Sequence, residues 1–515
     1  MPLYCAFLLA LLLLPVGQLA SQHHDHPAPE QLGVVTFANS CAAGVQPQFE
    51  RGVALLHSFA YAAARVAFGQ VAAKDPRCAM AHWGIAMTYY HQLWEPPLYA
   101  SDLALGRQEI ERALEMAAGT ERERGFIEAL ALIYRNAEHT PYRDRVVDYR
   151  QAMSALAAGN PQDAETQIFY ALALLAAAPP EDKTHANQKR AAAILDPLYR
   201  RYPLHPGIAH YLIHACDNAE MASRGIAAAR AYARIAPSAP HALHMPSHIF
   251  TRLGMWEDSV RSNRAAQAAA RQQGDIGEAL HAMDYLVYAY LQMGRVNQAA
   301  QVIRQLDSIP ALNAADFKVA YAATAMPVRF ALERRRWADA AASTAPKGAP
   351  PQVAAIAVWA RAVGLARSGR AAEARPEIDR LREIARQLDA AGDQYWASQV
   401  EIQAKEAAAW TAAADGSSGE AASLLREAAD REDAVEKLPL TPGPIIPARE
   451  QLGELLLEKG QPKLALEAFQ TALVGAPGRR GSLVGASRAA RLAGEPKRAE
   501  FFRSELRRLA IERRD

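Results

Sequence analysis

One spacing occurs near both ends of the chain. Gly52, Leu55, Ala64, Phe68, Val71 and Pro76 stand at offsets of 0, 3, 12, 16, 19 and 24, and Gly453, Leu456, Ala465, Phe469, Ala472 and Pro477 repeat those offsets. Looser copies occupy 286–310, 359–384 and 481–502. Apolar residues at helical spacing within each copy, closed by proline, predict a pair of amphipathic helices. Such a pair cannot bury its apolar faces alone, so consecutive copies must stack and share one core. Small residues such as Ala64 and Ala465 let the helices approach closely. Elsewhere the chain is alanine-rich with almost no alternating β-branched runs, which predicts an all-α fold.

This pattern resembles the tetratricopeptide repeat, in which each 34-residue unit is two antiparallel helices with proline ending the second. The resemblance covers most of residues 45–510, with an insertion blurring the register around 176–205. It implies a right-handed superhelical solenoid of antiparallel helix pairs, of the exported bacterial type. It also implies a concave groove, lined mainly by the first helix of each pair, that takes a protein or peptide partner. Trp83, Tyr90 and Tyr288 are the aromatic residues assigned to that groove.

Residues 6–14, AFLLALLLL, followed by Pro15 to Ala20, read as a cleavable secretory signal peptide over 1–20, which predicts a periplasmic or secreted protein. Residues 21–44 then form an N-terminal tail, 45–345 a first repeat array, 346–437 further helix pairs, and 438–515 the C-terminal repeats with a capping helix. Segments 411–420 and 438–447 read as loops or linkers. A mature start at Ser21 would present His23, His24 and His26 beside a free amine, which is either a copper(II) or nickel(II) ligand set or a solvated polar tail. Loss of the leader leaves Cys41, Cys78 and Cys216. Either Cys41 and Cys78 form a disulfide with Cys216 buried and free, or all three are inert core thiols. No further stretch reaches the roughly 20 apolar residues of a membrane span, so none is expected in the mature chain. With 57 basic against 55 acidic side chains, a net +2, the chain lacks the basic excess of a nucleic-acid binder.

A second duplication lies in the middle. Residues 203–214 (PLHPGIAHYLIH) and 237–248 (PSAPHALHMPSH) share P-x-x-P-x-x-x-H-x-x-x-H, displaced by one period of 34 residues. His210 and His214 are thus matched by His244 and His248. Spacing of i, i+4 puts both rings of a pair on one helical face, where two imidazoles can grip one metal ion. Equal phase puts both pairs on the same side of neighbouring first helices. His281 follows on the next first helix, so the metal-ligand set is His210, His214, His244, His248 and His281. Asp217, Asp284, His57 and His91 are additional candidate ligands, the last two again 34 residues apart. Pro246 lies between His244 and His248, where a proline breaks or bends a helix and threatens the second pair's geometry.

Three readings follow. Imidazoles with an optional carboxylate suit copper, zinc, iron or nickel, which makes the chain a transition-metal binder or metal-bearing partner platform. His210, His214 and Asp217 could instead form a facial triad for a metal-dependent oxidase or oxygenase. Without metal, the rings would line a polar groove for a peptide or acidic ligand, or be copied with the repeat and do nothing, leaving an interaction scaffold. Neither HYLIH nor HMPSH has the glutamate that a zinc peptidase places after its first histidine. No phosphate loop, dinucleotide fingerprint or Ser-His-Asp pattern is present. Whether the chain is an enzyme is left open.

Overall fold

A chain whose apolar positions recur at helical spacing can form every backbone hydrogen bond locally. In a computed structural model, which describes residues 30–93, 99–116, 119–309 and 311–511, every regular element among the described residues is helical. The leader over 1–20, the tail residues His23, His24 and His26, and Trp94 lie outside the described residues. Helices pack mainly against their neighbours in the chain, so the described residues from 31 to 511 form one continuous stack. No described helix is long and apolar enough to cross a membrane.

The duplicated pattern has a packing basis at both ends. A Cβ on Gly52 would lie 2.8 Å from Phe68, and one on Gly453 would lie 2.8 Å from Phe469. Gly84 and Gly485, each 16 residues beyond its phenylalanine, close over the other side of the same rings. One aromatic ring is therefore clamped between the first helices of two successive units, and only glycine leaves room for it. Ala64 and Ala465 are fully buried at the adjoining helix contacts. The looser copies also form helix pairs, including Ile276–Gln292 with Val296–Leu306 and Pro351–Arg367 with Ala371–Ala390.

Turns within pairs reuse one device. Gly294 and Gly460 take φ of 69° after their first helices, and the next amide donates back five residues, Arg295 N to Tyr290 O and Gln461 N to Leu456 O. In the first unit Ala60 N donates to Leu55 O in the same way, yet the left-handed position is held by Phe59, at φ 53°. A bulky residue there stores strain of about 1–3 kcal/mol, which the surrounding packing must offset.

Two segments expected to be loose are docked. Within the 21–44 tail, Val34 N donates to Leu204 O, Leu32 is nearly buried, and Phe37 is fully buried. Residues 436–445, which overlap the linker expected at 438–447, run against the central first helices: Lys437 Nζ lies 2.9 Å from Asp217 and Arg329 donates to Pro444 O at 3.0 Å. The C-terminal units also return to the centre through Trp256 Nε1 to Gly478 O and Arg480 N to Gln292 Oε1. Cys41 and Cys78 are joined by a disulfide, with a Cα–Cα separation of 4.8 Å, and Cys216 is a buried free thiol.

Candidate metal centre

The Pro206–Cys216 helix starts on its proline and carries His210 and His214 one turn apart, with their Nε2 atoms 3.0 Å from each other. The next first helix is split into Pro240–His244 and Pro246–Arg252. Met245 between them keeps helical dihedrals, and His248 N bonds to Met245 O, so the break tightens the turn without ending it. His244 and His248 Nε2 are consequently also 3.0 Å apart, and Pro246 does not spoil the pair.

Each pair gains a third ring from the following unit. His210, His214 and His241 form one cluster and His244, His248 and His281 another, each with its ligand atoms within 4.8 Å of one another. Metal–nitrogen bonds of about 2.1 Å separate two ligand nitrogens by about 3.0 Å at an angle near 90° and about 3.4 Å at the tetrahedral angle, so the paired Nε2 atoms are close enough to share an ion. The clusters adjoin: His214 and His248 ring centroids are 6.1 Å apart, as are those of His241 and His244.

What holds the rings is as telling as their convergence. His210 Nδ1 donates to the His57 carbonyl at 2.6 Å, His241 Nδ1 to Glu278 at 3.2 Å, His244 Nδ1 to Asn263 Oδ1 at 2.6 Å, and His248 Nδ1 to Asp217 at 2.9 Å. The Asn263 amide is oriented by its own donation to Ser259 O, so its oxygen must accept from His244. Four outer nitrogens are thus spent as donors, which leaves Nε2 as the inward lone pair, the arrangement that orients metal-binding imidazoles. Behind them, Asp217 is clasped by Arg252 and Lys437, and Glu278 by Lys318. Burial, reinforced by neighbouring imidazoles, holds His210, His214 and His244 well below the usual imidazole range. Burial does the same to His281 and lowers His248, with Glu278 and Asp217 respectively opposing it. Neutral rings are the ligating form. The Tyr285 hydroxyl lies 3.4 Å from His248 Nε2.

Other expected ligands fall elsewhere. Asp217 caps the end of the Pro206–Cys216 helix, and the chain's exit there turns its carboxylate onto the back of His248, not beside His210 and His214. The facial triad is therefore not formed. Asp284 is buried 3.8 Å from Arg329 Nε and joins neither histidine cluster, and burial raises its carboxyl to about 6. His57 joins Glu165 and His205 in a separate buried cluster, with both imidazoles 2.9 Å from the carboxylate. His91 stacks on Tyr61, with Asp102 at 4.0 Å.

Two of the three groove aromatics need correction. Trp83 is core, packed on Phe37, Phe126 and Phe169, because the docked N-terminal segment covers its face. Tyr90 is fully buried against Tyr149. Tyr288 does line a cavity of about 940 Å³, bounded also by Arg252, Tyr321, Trp359 and Lys437. His241 was missed as a ligand because it stands 31 residues after His210 whereas His281 stands 37 after His244, so neither third ring obeys the 34-residue period. Its neighbour His244 was the only signal. Asn263, Glu278 and the His57 carbonyl carry no sequence signal for their roles.

No protein-family model matches the chain, and no curated protein matches it. Among solved structures, the human IFIT1 dimer with m7Gppp-AAAA is similar at 12% identity over 84% of this chain and 90% of that one, with a TM-score of 0.38. The TPR domain of P58(IPK) is similar at 12% identity, 88% and 99% coverage, and a TM-score of 0.23. Naa15/Naa10 bound to HypK-THB gives 12%, 88% and 62%, with 0.25. Likeness at this level carries nothing about function to this chain.

Proposed function

We propose that this chain is an exported repeat protein of the tetratricopeptide type that binds transition-metal ions in its histidine core. The carrying observation is the His244–His248 pair. Both Nδ1 atoms are committed as donors, so in the neutral state two Nε2 lone pairs face each other at 3.0 Å. Such a contact needs a cation between the nitrogens. A proton is disfavoured, because burial lowers both imidazoles. A metal ion satisfies both lone pairs at once, and copper, zinc and iron all accept imidazole. Export is supported by the apolar leader and by the Cys41–Cys78 disulfide, a bond that persists in oxidising compartments.

The 940 Å³ cavity favours a second reading, a metal-dependent oxidase. Its wall includes Arg252 and Lys437, which grip the same Asp217 that orients His248. Substrate there would be linked to the His248 ring through two residues in series, Arg252 or Lys437 and then Asp217.

Elemental analysis of untagged protein, as isolated and after reconstitution with copper, zinc or iron(II), tests the metal reading. At least one tightly held equivalent is expected. Less than about a tenth of an equivalent under every condition would overturn it, since six converging imidazoles should retain metal.

A further inference from the structure

Six imidazoles are more than one ion needs, and they are divided in a way that one ion does not explain. Each cluster repeats the same composition: an i, i+4 pair from one first helix and a single ring from the next unit. Within clusters the ring centroids stand 4.2–6.4 Å apart, and the nearest rings of different clusters 6.1 Å. A ring centroid lies about 3.2 Å from an ion bound at about 2.1 Å through Nε2, so two rings on a single ion can be separated by up to about 6.4 Å. Rings of different clusters are therefore no farther apart than ligands of one ion. No side-chain layer fits between the two positions, and ions occupying both would be immediate neighbours.

Charge then limits which ions can do so. Imidazole binds a metal ion as a neutral donor, so the six rings bring no negative charge to the site. The two carboxylates beside them are already paired, Asp217 with Arg252 and Lys437 and Glu278 with Lys318, a lysine that Asp275 and Asp316 share. The protein therefore offers only part of the charge needed to offset two adjacent buried dications, and burying uncompensated charge is costly. A pair able to exist as monovalent ions avoids that cost, and among metals that accept imidazole copper is the one with a stable monovalent state. In the divalent state the pair would have to take up a small anion such as hydroxide between the ions.

We infer that the two three-histidine clusters form a single two-copper centre, with His210, His214 and His241 holding one ion and His244, His248 and His281 its neighbour. This rests on the metal-binding reading above. Metal-free, untagged protein is loaded with copper(I) without oxygen, dialysed, and measured by elemental analysis and by copper X-ray absorption. Two copper ions per chain are expected, with a copper–copper scattering path at about 3.5–4 Å, the spacing of two-metal sites. His241→Ala should bind one ion and lose that path while circular dichroism stays helical. If this variant unfolds, the wild-type measurement alone decides. One copper per chain, or two with no copper neighbour within about 5 Å, overturns the pair and leaves metal binding standing. Two zinc ions held in preference to copper overturn the copper assignment. No metal of any kind overturns both readings.

Discussion

The Nδ1–H of His210 donates to the carbonyl oxygen of His57 at 2.6 Å, joining residues 153 positions apart. The carbonyl is available because it belongs to the last turn of the Gln46–His57 helix, whose final four acceptors have no partner within the helix. Phe59, in the left-handed position that glycine takes in other units, turns the chain there. Its ring stands edge-on to His210, with centroids 4.5 Å apart, and stacks on His241 at 5.4 Å. The first unit thus acts as a brace for the central rings.

Gly207 tests that brace. A Cβ on it would lie 2.6 Å from His57 Nδ1, so the imidazole would have to leave the Tyr211 hydroxyl and Glu165, both at 2.9 Å. Gly207→Ala should lower stability by about 1–3 kcal/mol, as overpacking of a full core does. It should also weaken metal binding by about 10–100-fold, although residue 207 offers no ligand. Denaturant unfolding of metal-free protein and a competitive metal titration read the two effects separately. Unchanged affinity would show that His57 does not position His210.

Asp217 carries two duties, orienting His248 and neutralising Lys437 and Arg252. Arg252 also reaches Glu436 at 3.3 Å, so the ammonium of Lys437 is the group more exposed to the loss. Asp217→Ala should cost about 3–5 kcal/mol, the usual price of stranding a buried charge. Asp217→Asn, which keeps an acceptor for His248, should retain more metal affinity than Asp217→Ala. Equal affinities in the two variants would argue against the orienting role.

Acid should destabilise the metal-free protein earlier than carboxylate titration explains. His57, His210, His214, His244, His248 and His281 all titrate below their ordinary value in the fold, chiefly through burial. His91 is lowered to about 4 by burial. The unfolded chain, with imidazoles near 6.5, then binds more protons than the folded one. Stability from these groups is complete above about pH 6.5 and is lost as pH falls through the lower folded values. Melting temperatures at pH 8, 7, 6 and 5 should be level at first and drop steeply below about 6.5. A flat profile down to pH 5 would contradict the buried neutral rings.

Phe469 and Phe68 occupy matching clamps in different neighbourhoods. Truncation of either to alanine should cost about 3–5 kcal/mol. In a stacked array the loss stays near its own units. Phe469→Ala should therefore loosen the C-terminal helices and leave metal stoichiometry unchanged. Phe68→Ala, beside the helix that supplies the His57 carbonyl, should lower metal retention as well. Hydrogen exchange combined with metal analysis separates the two, and equal metal loss in both variants would refute the local picture.

Helical type, the pairing of helices and the two histidine pairs were legible in the residues themselves, because each depends on spacing within one helix or on a repeat of fixed length. Gly52 with Phe68 and Gly453 with Phe469 announced their clamps through equal offsets. His210 with His214 and His244 with His248 announced a shared face through i, i+4 spacing, and the Pro246 break changed little because one tightened turn still leaves both rings on that face. Tertiary structure alone decided the rest. It supplied His241 as a third ring, assigned the expected His281 to the second cluster, turned Asp217 behind His248, buried Trp83 under the docked N-terminal segment, and laid residues 436–445 against the centre. Periodicity determines what neighbours along a helix can do. Which acceptor reaches the far nitrogen of a ring, and which cluster that ring joins, depends on contacts between residues tens to hundreds of positions apart, whose spacing leaves no periodic trace in the chain.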